Sequence, residues 1–308
     1  MIDKNFDAPL AERMRPTSLE NFYGQKHIVA ENLLLSRAIK TGTLGSCIFY
    51  GPPGTGKTTL ANIVASSLRG ELKKLSAVSS GVSDAKKIIE QAKMDKAIYG
   101  KQTYLLLDEC HRWTKAQSDQ LLGAIEDGTI IFIGSTTENP YTSLTRAIVS
   151  RCRIFEFKTL DSDDVKKAIL RAKNDNINGF GDLNVVLCDE ALNHFAWCSA
   201  GDVRSALNSF ELAVKTTPLN EKNEIVIDIA VAEGSTQSKA MSINEDMYYD
   251  LLSAFCKSIR GSDSDAALYY SQRLIKSGCD PKIIARRLIA HCSEDIGMAD
   301  SNAMLLAS

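Results

Sequence analysis

Residues 51–59 read GPPGTGKTT, and with their flanks they constrain the fold more than any other stretch of the chain. The apolar run CIFY precedes them at 47–50, and the helical sequence GKTTLANIVASSL carries on from the loop. A strand that passes through a glycine-rich loop straight into a helix is the first half of a parallel βαβ unit. The loop fits G-x-x-x-x-G-K-[ST], in which glycines let backbone N–H groups wrap an anion and the helix N-terminus adds its positive end. The pattern assigns Gly51, Pro52, Pro53, Gly54, Thr55, Gly56, Lys57, Thr58 and Thr59 to the phosphates of ATP. Lys57 would reach the β- and γ-phosphates, and Thr58 would place its hydroxyl on Mg²⁺.

Further apolar runs follow at 72–77 (LKKLSA), 103–107 (TYLLL), 130–134 (IIFIG) and 153–157 (RIFEF). Between the first four runs lie helical stretches such as DAKKIIEQAKMDKA. This alternation predicts an α/β P-loop NTPase core over 26–157, a parallel sheet with helices on both faces. The polar residues 1–25 read as an N-terminal arm lying over that core. After 158 the strand signals fade. LDSDDVKKAILRAK, DEALNHFAWCSA and DVRSALNSFELAVK are amphipathic helices, the first two with acidic caps, and they predict a helical lid over 158–235. AEGSTQSKAMSIN is a polar joint. Beyond it, helices in EDMYYDLLSAFCKSIRG, SDSDAALYYSQRLIKSG and DPKIIARRLIAHCSEDIG predict an all-α C-terminal domain over 236–308. The apolar close, NAMLLAS, predicts a chain that continues.

Composition narrows the partners. The net charge is −2, so no overall basic field announces nucleic acid, and a DNA partner would need a local patch or patches summed over subunits. The eight cysteines form no C-x-x-C pair, which argues against zinc, and most sit in apolar runs, as reduced thiols of a cytoplasmic protein do. The N-terminus is charged rather than apolar, and no run is long enough for a membrane span.

The strand LLLDEC ends in an acidic pair. Asp108 fits the strand-end acid that helps hold Mg²⁺, and Glu109 fits the group that polarises the attacking water. With His111 the letters spell DECH, as in one class of nucleic-acid helicases. Those enzymes need a second motor domain, and a chain that is helical after 158 does not supply it. His111 and Arg112 remain open between a coupling role and a polar start to the helix KAQSDQLLGAIEDG. The run TIIFIGSTTENP is a strand with a polar end that could hold the water or feel the γ-phosphate; Thr137 is the first choice and Asn139 the second. In LTRAIVSRCRIFEF, Arg151 stands before the last strand, where it could point out of the subunit toward a neighbour's nucleotide, and Arg146 is the weaker candidate. Arg204, in SAGDVRSALN, opens a lid helix that could close on the same nucleotide.

These blocks together resemble the AAA+ ATPases, and more narrowly the replication-associated recombination protein A family (RarA, also called MgsA), whose eukaryotic relative is the Werner-helicase-interacting protein. The resemblance rests on PLAERMRPTSLENFYGQKHIV, GPPGTGKTTLA, AVSSGVSDAK, LLLDECHRWTKAQSDQLLGAIEDGTIIFIGSTTENP, SRCRIFEF, GDVRSALN and AFCKSIRGSDSDAALYY, and it runs over nearly the whole chain. The family usually has an aliphatic residue where Cys110 stands and phenylalanine where Trp113 stands; both substitutions stay apolar. The resemblance implies a DNA-stimulated ATPase acting at stalled forks and on single-stranded, gapped or forked DNA. It further implies a homo-oligomer (a tetramer at full length), work with single-strand-binding protein, and a nucleoid-associated location. It gives Arg151 a role in trans and Arg204 one in cis. Lys166, Lys167, Arg286 and Arg287 could touch phosphate, against the plainer reading of solvated helix faces.

Two competing functions remain. A clamp-loader subunit would share SRC but would differ in the collar, where this chain has KSIRGSD. A protein unfoldase needs an aromatic–hydrophobic–Gly pore loop. The nearest match, IYGK at 98–101, has the wrong order.

Overall fold

The computed structural model describes residues 8–68, 70–236 and 245–308, with side chains from 247 in the last span. By packing the chain divides into two units, Met1–Gln237 and Ser238–Ser308. In the first unit, β1 (Cys47–Tyr50), β2 (Glu71–Ser76), β3 (Thr103–Asp108), β4 (Ile130–Thr136) and β5 (Arg153–Glu156) form one sheet in the order β2-β3-β4-β1-β5. All its pairings are parallel.

Period-two alternation divides the central strands between two cores. Phe49, Tyr104, Leu106 and Ile133 pack on one face with Leu60, Ala61 and Val64 of the loop's helix, Lys57–Ser67. Ile48, Leu105, Leu107, Ile130 and Phe132 pack on the other with Ala85 and Ala92 of the helix Val82–Tyr99. Burial on both faces explains why these strands read as unbroken apolar runs. Cys110 and Trp113 are both buried in the second core. The stretch expected as one helix, KAQSDQLLGAIEDG, is two, Lys115–Asp119 and Leu122–Glu126. The turn between them tightens to i−3 hydrogen bonds at Gln120 and Leu121, and Leu121 is fully buried.

The lid is not purely helical. Its helices Ser162–Asn174, Asp189–Cys198 and Val203–Thr216 are accompanied by a two-stranded parallel sheet of β6 (Val185–Leu187) and β7 (Ile225–Ile227). Each strand is only three residues long, too short for alternation to show in the sequence. The caps also differ from expectation. Asp161 and Asp202 cap the first and third helices, whereas the thiol of Cys188 caps the second, accepting from Ala191 N at 3.4 Å.

The arm reaches farther than the sheet. Leu10 and Met14 are buried in the lid's core, beside Ile169, Phe195 and Phe210. Phe22 is buried in the sheet's core. Glu211 fastens the arm: its carboxylate accepts from Leu10 N at 2.8 Å, pairs with Arg13 at 3.2 Å and is braced by Lys215 at 2.8 Å. Burial pushes this carboxyl up, but the Leu10 N–H, Lys215 and Arg13 outweigh it and hold it below the usual range.

The second unit holds helices Glu245–Arg260, Ser264–Lys276 and Pro281–His291 around Leu251, Leu252, Phe255, Leu274 and Ile284. A π-helical turn, Cys292–Ile296, and a further helix, Ser301–Ala307, follow. Arg286 and Arg287 are exposed. Most of the expected polar joint lies outside the described residues. Among the described residues no helix is long and apolar enough to cross a membrane.

Candidate active site

The strand ends β1, β3 and β4 open into a cleft of about 190 Å³. Its floor is the loop after β1. Gly51, Gly54 and Gly56 all take positive φ, at 141°, 69° and 97°. A Cβ at Gly51 would stand 2.2 Å from the Phe157 carbonyl oxygen, and one at Gly54 1.9 Å from Asp202 Oδ1. The glycines therefore meet both the conformation and the space, and the second contact brings the lid directly against the loop. Thr55 Oγ donates to the Pro52 carbonyl at 2.8 Å, closing the loop on itself. Gln25 braces it from outside: its side chain donates to the Lys158 carbonyl at 2.7 Å and accepts from Lys158 N at 2.9 Å, with Thr55 O at 3.5 Å. The block FYGQ thus acts through structure.

Lys57 is buried and donates to the carbonyls of Gly51 and Pro52, at 2.7 Å each. Burial brings its pKa down to about 8; Glu109 and Asp108 pull it back up, and Arg204 adds to the depression. That balance places the lid's arginine in the same electrostatic neighbourhood as the loop's lysine. Thr58, Thr59, Pro53, Asp108, Glu109, Thr137 and Arg204 all line the cleft with Lys57. The structure thus brings together most residues the sequence singled out. Glu109 sits at φ 55°, ψ 40°, a left-handed conformation that a non-glycine residue rarely adopts and that recurs at functional sites.

Arg151 is elsewhere. It is exposed, donates to the Ala147 carbonyl at 2.8 Å, pairs with Glu126, and is not among the residues lining its own chain's cleft. Arg146 is also exposed. Asn139 caps the short helix Pro140–Ser143 through its side chain, which accepts from Tyr141 N at 3.0 Å. Lys166 and Lys167 pair with Asp163 and Asp164 along their own helix.

Sequence reasoning missed three features. The arm supplies an apolar wall, with Met14, Pro16, Phe22 and Tyr23 facing Leu160, Val203 and Leu207. Arg171 ties that wall together, donating to the carbonyls of Asn21, at 3.0 Å, and Met14. Ser135 also lines the cleft, 1% exposed, and its hydroxyl has no protein partner. Leu107 pairs with Gly134, so Ser135 stands beside Asp108 in the sheet, and both lie on the strand face that meets the loop's helix. A buried hydroxyl without a partner costs stability unless something polar occupies the space before it. Together with the Thr58 hydroxyl and the Asp108 carboxylate, it suits a hydrated hard cation such as Mg²⁺.

Three family models match: the P-loop domain of the Holliday junction DNA helicase RuvB over residues 14–147, an AAA C-terminal domain over 181–260, and the MgsA AAA+ ATPase C-terminal domain over 261–308. The replication-associated recombination protein A of Bacillus subtilis is 46% identical over 96% of this chain and 69% of its own length. The protein of the same name from Haemophilus influenzae is 42% identical over all of this chain and 70% of its own. The chain belongs to the replication-associated recombination protein A family. Members of this family are P-loop AAA+ ATPases, and the five-stranded sheet and cleft conform to that architecture. The RuvB Holliday junction branch migration motor of Thermotoga maritima has the same fold, with a TM-score of 0.59 and 24% identity over 92% of this chain and 80% of that one. Within the recombination protein A family frame, the RuvB-like match takes in the loop, the acidic pair and Thr137, and the AAA C-terminal match takes in Arg204.

Proposed function

We propose that this chain is a DNA-dependent ATPase of replication-associated recombination and stalled-fork maintenance, hydrolysing ATP between subunits of a homo-oligomer. The observation that carries the reading is the split between the arginines. Arg204 lines its own chain's cleft, while Arg151 stands exposed outside it, as a group offered to a neighbour must. The relatives' names support the biological setting.

The loop amides and Lys57 hold the triphosphate, and the arm's apolar wall takes the base. Thr58 and Asp108 would hold Mg²⁺, with Ser135 donating toward its water shell; when bound, the ion neutralises charge on the β- and γ-phosphates. Glu109 accepts a proton from the water attacking the γ-phosphorus as the bond to the β-phosphate oxygen breaks. Thr137 holds that water, and Arg204 steadies the γ-phosphate from the lid. The neighbour's arginine at position 151 stabilises the transferring charge, a contribution of roughly 10³–10⁵ in rate in comparable enzymes. Single-stranded, gapped or forked DNA and single-strand-binding protein are the partners this reading expects, and a tetramer is the assembly. The test is ATP turnover with and without gapped DNA. Stimulation in the parent with none in Lys57→Ala supports the reading; turnover indifferent to DNA in an assembled oligomer would overturn it.

A further inference from the structure

His111 lies in the single turn after Glu109, and its side chain is 8% exposed. Its Nδ1 is 2.8 Å from the hydroxyl of Thr136, the last residue of β4. That hydroxyl already accepts from Glu138 N at 3.0 Å, so its own hydrogen is available to Nδ1; the alternative acceptor, Glu138 O, is at 3.5 Å. In the neutral ring, the tautomer that suits both sides puts the N–H on Nε2, which faces only carboxylate acceptors, and leaves Nδ1 to accept from Thr136. Nε2 lies 3.4 Å from a carboxylate oxygen of Glu109 and 3.6 Å from one of Glu138.

We propose that His111 is the positioning residue for Glu109. The ring is anchored to β4 through Thr136, and its Nε2–H holds the carboxylate of the base in the cleft. Glu138, whose carboxylate lies 3.6 Å from Nε2, adjoins Thr137, so a displacement at the water-holding end of β4 is passed through one imidazole to the base. Glu109 itself holds a left-handed backbone at the start of that turn. A base misplaced by an ångström forfeits about a hundredfold in rate. The contact with Glu109 is local to one turn, whereas the bond to Thr136 and the approach to Glu138 reach from the end of β3 to the end of β4. This inference rests on the assignment of Glu109 as the base.

The experiment measures kcat and KM for ATP, and the Kd of a fluorescent ATP analogue, on the 308-residue chain. Five variants are compared: His111→Ala, His111→Gln, Thr136→Val, the double variant His111→Ala/Thr136→Val, and Glu109→Gln. His111→Ala is expected to lower kcat by about tenfold to a hundredfold, with KM and Kd within about twofold, the pattern of an interaction that acts on the chemical step. His111→Gln, which keeps an N–H donor at similar reach, should recover most of the rate. Thr136→Val, which is isosteric and leaves the ring buried, should lower kcat as His111→Ala does, and the double variant should be no worse than either. It also decides the question if His111→Ala fails to fold. Parental kcat in His111→Ala or Thr136→Val overturns the proposal, as does loss of analogue binding in parallel with kcat, which would make the ring a packing element. Glu109→Gln should bind the analogue and not turn over. Turnover by that variant would overturn the assignment of the base itself, which the other variants do not test.

Discussion

Gly54 shows how tightly the loop is specified. Alanine at its φ of 69° costs about 1–2 kcal/mol in backbone strain. Its Cβ would also stand 1.9 Å from Asp202 Oδ1 and 3.0 Å from Asp202 Cα, so the lid helix would have to shift. Gly54→Ala should therefore lose more than the strain alone in urea unfolding and weaken nucleotide binding by tenfold or more, read by titration of a fluorescent analogue. Lys57 makes a prediction about pH. Its folded pKa of about 8 lies below the ordinary 10.5, so at neutral pH it is charged in both states and its burial costs the fold about 3 kcal/mol. Between pH 8 and 10.5 the folded state sheds the proton first and the cost fades. Lys57→Met should be more stable than the parent at pH 7 in urea melts, by up to about 3 kcal/mol, and the gap should close as the pH is raised toward 10. A gap independent of pH would remove burial of charge as its cause. That Lys57, Asp108, Glu109 and Thr137 would meet in one cleft was legible in the sequence because each lies at or just beyond a strand end, or opens a helix, at a motif position. Ser135 was not, since its meaning lies in a missing partner, and neither was the use of His111, whose anchor, Thr136, arrives from another strand.

At the scale of elements, the sheet was legible because strands buried on both faces leave unbroken apolar runs. β6 and β7 were not, because three residues carry no period. The arm was legible as polar chain but not as part of the lid, because the acid that fastens it, Glu211, lies on a helix two hundred residues away. Glu211→Ala would leave Leu10 N–H and the Arg13 guanidinium short of their buried acceptor, a loss of about 2–4 kcal/mol. Thermal melts should show the fall, and nucleotide affinity should fall with it because the arm forms one wall of the cleft. The contact is also acid-labile. A carboxyl held below its ordinary pKa contributes stability above that ordinary value and loses it as the pH drops through the folded one. The difference between the parent and Glu211→Ala should therefore shrink below about pH 4. A difference unchanged by acid would assign the loss to packing instead.

At the scale of the whole molecule, the exposed Arg151 predicts complementation. Arg151→Ala keeps a complete cleft but offers nothing to its neighbour; Lys57→Ala offers the arginine but has no working loop. Each alone should be nearly inactive, and a mixture should regain a fraction of parental turnover, measured as phosphate release against mixing ratio. Absence of recovery in mixed oligomers would place the arginine's action within its own chain. The arm's two anchorages have a consequence for exchange. Met14 is buried with the lid and Phe22 with the sheet, and the stretch between them, fully extended, reaches no more than roughly 25–30 Å. Arg15 and Pro16 of that stretch line the cleft, so it forms a leash along the side of the nucleotide site. The lid can swing only until the leash is taut, and wider opening must pull one end from its socket. Where nucleotide exchange requires that wider opening, product departure and unseating of the arm become a single event, and a cut in the leash would speed the ATPase cycle if that departure sets its pace.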